Sequence, residues 1–136
     1  MDFYIYFSFF SLLFVSSLFD LKNQRVPNLL SVGFIIAALL WLVFKPGSIT
    51  FLSVIYSVGM TLLLTLPGYC KGVFGAADIK ILFAVALVTP IESMIIILLA
   101  SFIIFSLYWV VCYRPIKQAP FIPAVLGAFI LSMWIR

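Results

Sequence analysis

Long apolar runs alternate with short polar breaks along the whole chain, and this pattern predicts membrane-spanning helices. A helix needs about 20 mostly apolar residues to cross the hydrocarbon core of a bilayer. Six stretches fit this description, although the fourth is short: 3–19, 29–44, 49–66, 81–88, 91–112 and 120–135. We therefore expect an all-α membrane protein, a bundle of about six transmembrane helices with short loops, in which residues 1–136 form one polytopic domain.

The polar breaks contain proline and glycine, the residues that most often end a helix. We expect the second helix to end at the turn 45–48, the third to stop at Pro67-Gly68, and the fourth to close at Thr89-Pro90. The first stretch follows Met1-Asp2, which offers no basic region, and no small-residue cleavage site comes after it. It is therefore expected to remain in the mature protein rather than to be a signal peptide.

The composition and the basic residues support a membrane protein of defined orientation. Hydrophobic residues make up 66% of the chain and charged residues 9%, which would leave a soluble domain of this length with a large exposed apolar surface. The net charge of +4 comes from scattered basic residues, so no nucleic-acid partner is expected. With the N-terminus outside, six basic residues lie in cytoplasmic loops and two lie outside, as the positive-inside rule requires. The six are Lys22, Arg25, Lys71, Lys80, Arg114 and Lys117.

Acidic residues number four, so each can be considered individually. Asp2 and Glu92 lie on the outer side in this orientation, where both can be hydrated. Asp20 follows the first apolar stretch and Asp78 precedes the fourth, both at the cytoplasmic boundary. An ionisable group beside the hydrocarbon is a candidate for function, and two in matching positions indicate a functional pair.

Simpler interpretations of the two aspartates stay open at this point. Asp78 can cap the N-terminus of the fourth helix, where a carboxylate satisfies free amides and meets the positive end of the helix dipole. Asp20 can be a solvated boundary charge that pairs with Lys22 or Arg25.

The residues that the chain lacks exclude other hydrolytic sites. Without histidine, neither a Ser-His-Asp site nor a His-ligated zinc site can form. No phosphate-binding glycine motif is present, and Cys70 and Cys112 form no CxxC pattern, so we expect no cofactor and no metal. A pair of carboxyl groups remains. Two carboxyls within reach share a proton, so that the ionised one takes a proton from water while the protonated one polarises a carbonyl.

Three segments of the sequence carry a family resemblance. They are D-L-K-N-Q-R-V-P-N at 20–28, G-V-F-G-A-A-D-I-K at 72–80 and A-P-F-I-P-A at 119–124. The first resembles the aspartate, basic residues and hydrophobic-Pro-Asn ending of type IV prepilin peptidases, and the second resembles that family's glycine-x-glycine-aspartate motif with its trailing lysine. The third is similar to the entry to the family's last helix. Ala77 departs from the pattern, because the family has glycine immediately before the second aspartate.

The resemblance implies an intramembrane aspartic endopeptidase that removes the short basic leader of prepilin or pilin-like precursors, at the cytoplasmic face of a bacterial or archaeal membrane. Asp20 and Asp78 are then the catalytic pair. Supporting or substrate-binding roles are implied for Lys22, Arg25, Pro27, Asn28, Gly75 and Lys80. The chain lacks the cysteine-containing insertion of the larger members, which also methylate the new N-terminus, so it resembles the short, peptidase-only form.

Two other functions remain possible from the sequence. Because of Ala77, the chain can be a non-catalytic membrane component of a pilus or secretion system. It can also be a small proton-coupled transporter with the two aspartates as relay sites, although such acids are expected near the bilayer midplane and in symmetric halves. The sequence identifies neither the precursor nor the oligomeric state.

Overall fold

The computed structural model describes residues 3–23, 28–44, 50–72, 75–113 and 121–135, and these residues form helices without a strand. The helices are α1 Phe3–Asn23, α2 Asn28–Phe44, α3 Phe51–Cys70, α4 Ala76–Val88, α5 Ile91–Tyr108 and α6 Ile122–Ile135. A π-helical turn, Trp109–Tyr113, continues α5. The all-α class is therefore confirmed. Among the described residues, two helices are long and apolar enough to cross a membrane, Phe51–Cys70 and Ile91–Val111, while α2 and α6 are shorter apolar helices.

The helices pack side by side, and α4 packs mainly against α2 and α3. Contacts run from α1 to α6, α5, α3, α4, α2 and back to α1, and α4 also touches α5. Nearly every residue of α4 from Ile81 to Val88 is buried, as expected of a helix that is apolar on all sides. Large apolar side chains on the outer faces of the other helices are exposed, such as Leu63 and Trp134. Faces of this kind suit a lipid environment rather than water.

Buried hydroxyl groups help to hold the helices together. Ser57 Oγ of α3 donates to the carbonyl of Thr89 at 3.3 Å, and the amide of Ile91 donates to Ser53 Oγ at 3.1 Å. Further along the same face of α3, Thr61 and Thr65 donate to carbonyl groups one turn earlier, each at 2.7 Å. Such bonds satisfy hydroxyls within a helical bundle where water is scarce. The bonds of Ser57 and Ser53 hold α3 against the junction between α4 and α5.

The ends of α1 and α3 differ from the prediction, and α1 continues past residue 19 to Asn23. The third helix does not stop at Pro67-Gly68 but continues to Cys70, so that prediction is wrong. A proline has the φ angle of a helix and removes a single amide donor, and the carbonyl of Pro67 still accepts a bond from Lys71 N at 3.1 Å. The helix is followed by Lys71 and then by Gly72, whose φ of 74° lies in the left-handed region that glycine adopts without strain.

Candidate active site

Asp20 lies in the last turn of α1 and is turned into the bundle. Its side chain is 6% exposed, and its Oδ2 accepts a hydrogen bond from the backbone amide of Ile122 at 3.1 Å. Ile122 is the first residue of α6, whose N-terminal amides have no partner within the helix and carry its positive dipole end. α1 thus supplies the carboxylate that caps α6. The interpretation of Asp20 as a solvated charge is wrong, because the side chain is buried.

Asp78 lies in the first turn of α4 and caps that helix. Its Oδ2 accepts a hydrogen bond from the backbone amide of Gly75 at 3.1 Å, so the simpler capping interpretation is confirmed. The side chain is half-buried. A cap uses one carboxylate oxygen and leaves the other free, so capping and catalysis are compatible roles for Asp78.

The structure brings the two carboxyl groups close enough to interact electrostatically. Both lie at helix ends, outside the apolar stretches 3–19 and 81–88. Burial raises the pKa of Asp20 above its usual 3.8, while the backbone amides of Ile122 and Phe121 oppose the rise. Burial and the neighbouring Asp20 carboxylate raise the pKa of Asp78 to about 7, against the amide of Gly75. At intermediate pH, one carboxyl of the pair is therefore ionised and the other protonated.

The structure describes four of the other six predicted site residues. Lys22 is exposed and Lys80 is half-buried, and neither is a cause of the raised pKa values of the aspartates. Asn28 is exposed at the start of α2, and Gly75 is exposed at the start of α4. Arg25 and Pro27 lie outside the described residues. Among the residues that are described, no group of three or more His, Cys, Asp or Glu side chains could hold a metal ion.

The sequence did not predict the role of α6 at the site. The amide of Ile122 bonds to Asp20, and Phe121 beside it packs against two aromatic rings of α5. The Phe121 ring centroid lies 5.2 Å from that of Phe105 and 5.9 Å from that of Phe102. A backbone amide is present whatever the side chain, so the sequence cannot identify it as a donor. The one sequence signal for this segment was the resemblance of residues 119–124 to the start of the last helix in the prepilin peptidase family.

The bundle of apolar helices holds two interacting carboxyl groups, each at the N-terminus of a helix. The type IV leader peptidase family matches residues 7–110, and the chain belongs to that family. It is accordingly a protease of the leader peptidase type. The match includes both aspartate motifs and ends before α6. Comparisons with curated proteins and with solved structures each found no match.

A substitution at Gly75 tests whether substrate approaches the carboxyl pair from this side. The φ of −78° at Gly75 suits any residue, and an added Cβ would lie 3.4 Å from Asp78 Oδ2, an ordinary contact. We expect Gly75→Ala to fold but to cleave precursor about tenfold more slowly or worse, because the methyl group would keep a peptide from the carboxyl. Initial rates of cleavage in detergent would measure this.

Gly33→Ala is the matched control for Gly75→Ala. A Cβ at Gly33, in α2, would meet nothing within 4 Å, so this variant should cleave at the normal rate. Equal rates for both variants would show that substrate does not approach Asp78 past Gly75.

Proposed function

We propose that the chain is an intramembrane aspartic endopeptidase that removes the short basic leader from prepilin or pilin-like precursors at the cytoplasmic face of the membrane. The observation that carries the proposal is the convergence of Asp20 and Asp78, which come from different helices and interact through their charges. Membership of the type IV leader peptidase family supports the same reaction.

The hydrogen bonds of the two aspartates support different roles for them. Asp20 accepts from the amide of Ile122 and is stabilised in its ionised form by that of Phe121 as well, so it is the base of the pair. Burial and the Asp20 carboxylate raise the pKa of Asp78 to about 7, so below that pH it carries a proton and is the acid. Asp20 takes a proton from water as the oxygen attacks the scissile carbonyl, and Asp78 gives its proton to the carbonyl oxygen. As the C–N bond breaks, the proton on Asp20 passes to the leaving amine, and Asp78 takes a proton back from the hydroxyl that becomes the new carbonyl.

The membrane arrangement in this proposal follows the distribution of basic residues. Residues 1–136 form one polytopic domain of six spans, with the N-terminus outside and the site at the cytoplasmic surface of a bacterial or archaeal membrane. Lys22, Arg25 and Lys80 either orient the acids or bind anionic lipid headgroups. Pro27 and Asn28 have supporting or substrate-binding roles, and Gly75 leaves room for the substrate backbone.

The proposal includes a restriction on the chemistry. The chain resembles the short, peptidase-only members of the family, which are associated with Flp-type or archaeal-like pilus systems. We therefore expect leader removal without methylation of the new N-terminus.

Reconstitution tests the proposed function directly. The purified protein in lipid vesicles should convert a synthetic prepilin with a basic leader into two peptides, which mass spectrometry would identify by the position of the cut. A protein that only assembles a pilus would leave the precursor intact, even if its deletion blocks pilus formation. A proton-coupled transporter would also leave the precursor intact, and it would acidify or alkalinise the vesicle lumen. Either result would overturn the proposal.

A further inference from the structure

The start of α6 offers two backbone amides to the Asp20 carboxylate. The amide of Ile122 donates to Asp20 Oδ2 at 3.1 Å, and the amide of Phe121 also bonds to this carboxyl group. The next residue, Pro123, has no amide hydrogen, and the amide of Ala124 is bonded to the carbonyl of Phe121 at 3.0 Å. The amides of Phe121 and Ile122 are therefore the ones with which α6 holds Asp20.

The side chain of Phe121 connects these two amides to α5. Its ring is buried, and the ring centroid lies 5.2 Å from that of Phe105 and 5.9 Å from that of Phe102. The planes of the Phe121 and Phe105 rings are inclined by 71°, which is the edge-to-face arrangement that aromatic pairs favour. Phe102 and Phe105 are three residues apart on one face of α5. The ring of Phe121 thus packs against two adjacent side chains of a single helix face.

The aromatic contacts with α5 determine where the two amides lie, because the ring and one of the amides belong to the same residue. An amide hydrogen bond is about 2.7–3.2 Å long and is lost by about 3.6 Å. A shift of about half an ångström at the start of α6 would therefore release the Asp20 carboxylate. Asp20 is a buried side chain, and a buried carboxylate without donors is no longer favoured in its ionised form.

We propose that Phe121 is a positioning residue for the base of the pair: its ring, packed against two aromatic rings of α5, keeps the amides of Phe121 and Ile122 directed at the Asp20 carboxylate. This inference rests on the proposed function, because Asp20 is the base in that mechanism. Through the ring of Phe121, α5 helps to orient Asp20 and to keep it ionised, although α5 supplies neither aspartate.

Few titratable groups surround Asp20, so its own titration can report on Phe121. α2 and α6, which pack against α1, carry no titratable side chain in their described residues. Asp78 of α4 is the carboxyl group that interacts with Asp20, and Glu92 lies at the opposite end of α5. The other titratable side chains at this end of the described α1, α4 and α5 are Lys22, Lys80 and Tyr108. Substitutions at Phe121 leave all of these groups in place.

The test is the pH dependence of kcat/KM for the wild type and for Phe121→Ala. Alanine removes the ring but keeps the backbone amide, so the donors remain and their placement changes. A hydrogen bond to a carboxylate favours its ionised form. Weakening the bonds to Asp20 should therefore move the acidic limb of the profile upward by about one pH unit.

Phe129→Ala is the matched control for Phe121→Ala. Phe129 is equally buried on α6 and lies seven residues, or about 10 Å, beyond Ile122, so its loss leaves a similar cavity away from Asp20. The pH profile of Phe129→Ala should match the wild type in shape, even if the variant is less stable. Phe121→Met should restore the acidic limb to its wild-type position, because methionine fills the space and packs well against aromatic rings.

A second measurement needs no activity. In an Asp78→Asn background, infrared spectroscopy follows the protonation of Asp20 as the remaining carboxyl group of the pair, and adding Phe121→Ala should raise its midpoint by about one pH unit. If Phe121→Ala does not fold, Phe105→Leu gives the same test from the side of α5. Leucine loses the edge-to-face contact with Phe121, so this variant should raise the midpoint in the same direction by a smaller amount.

Three results would overturn the role of Phe121. One is an acidic limb and a midpoint that stay unchanged, even in a variant that is slower at every pH. Another is a lowered midpoint, as expected if the ring merely keeps water away from the carboxylate. The third is an equal shift in Phe129→Ala, which would show a general effect of a cavity in α6. Absence of cleavage by the wild type would instead overturn the proposed function, while the infrared midpoint would still decide the role of Phe121.

Discussion

Asp20→Asn and Asp78→Asn should each lower the rate of leader cleavage by about a thousandfold or more. Asparagine can neither take the proton from water, as Asp20 does in the proposed mechanism, nor supply a proton to the carbonyl oxygen, as Asp78 does. Losing a general acid or base typically costs two to four powers of ten, roughly 10²–10⁴. Because the two groups act as a unit, the double variant should be about as slow as either single one. Cleavage of a co-expressed small pilin, measured by its mobility shift, would show the loss.

Both variants should still fold and insert, which makes the result a test of chemistry. The amide oxygen of asparagine can accept the bond from Ile122 N in place of Asp20 Oδ2, and the bond from Gly75 N in place of Asp78 Oδ2. Asparagine is also as good a helix cap as aspartate. The amounts of each variant in the membrane fraction should therefore equal that of the wild type.

Glu92→Gln is the matched control for the aspartate variants. Glu92 is an exposed acid in the first turn of α5, at the end of α4 opposite to Asp78, and its replacement should leave cleavage unchanged. Normal cleavage by Asp20→Asn or by Asp78→Asn would show that the residue is not catalytic.

Much of the fold was predictable because each apolar run of the sequence corresponds to one helix. The bounds of α2 and α5 agree with the predicted stretches to within a few residues, since each run is bordered by charged or turn-forming residues. α3 was misjudged because Pro67 is compatible with a helix when a single amide donor is lost. α1 continues through Asp20 to Asn23, since a helix does not end merely because its sequence becomes polar.

The sequence predicted the two acidic residues of the candidate site but not the groups that surround them. Asp20 and Asp78 could be found because carboxyl groups are rare in so apolar a chain. The amide of Ile122 could not, because every residue except proline has such a donor and its place depends on how α6 packs against α1.

The proposed roles of the two acids predict a bell-shaped dependence of kcat/KM on pH. The active form has Asp20 ionised and Asp78 protonated. As the pH rises through about 7, Asp78 loses its proton, and kcat/KM should then fall about tenfold for each further pH unit. As the pH falls toward the pKa of Asp20, which burial raises above 3.8, protonation of the base should lower the rate. Initial rates in buffers of constant ionic strength would give both limbs of the profile. Their apparent pKa values describe the coupled pair rather than either aspartate alone.

A rate that stays constant well above pH 7 would contradict the assignment of Asp78 as the acid.

The titration of Asp78 should also change the free energy of unfolding with pH. Because no substrate is present in an unfolding experiment, this measurement separates the titration of Asp78 from ionisation of the substrate. Because the pKa of Asp78 is about 7 in the folded protein and 3.8 ordinarily, the folded state binds more protons than the unfolded state between these values. The free energy of unfolding should therefore fall as the pH rises from about 4 to about 7. Asp78→Asn lacks this carboxyl, so its stability should depend less on pH over that interval.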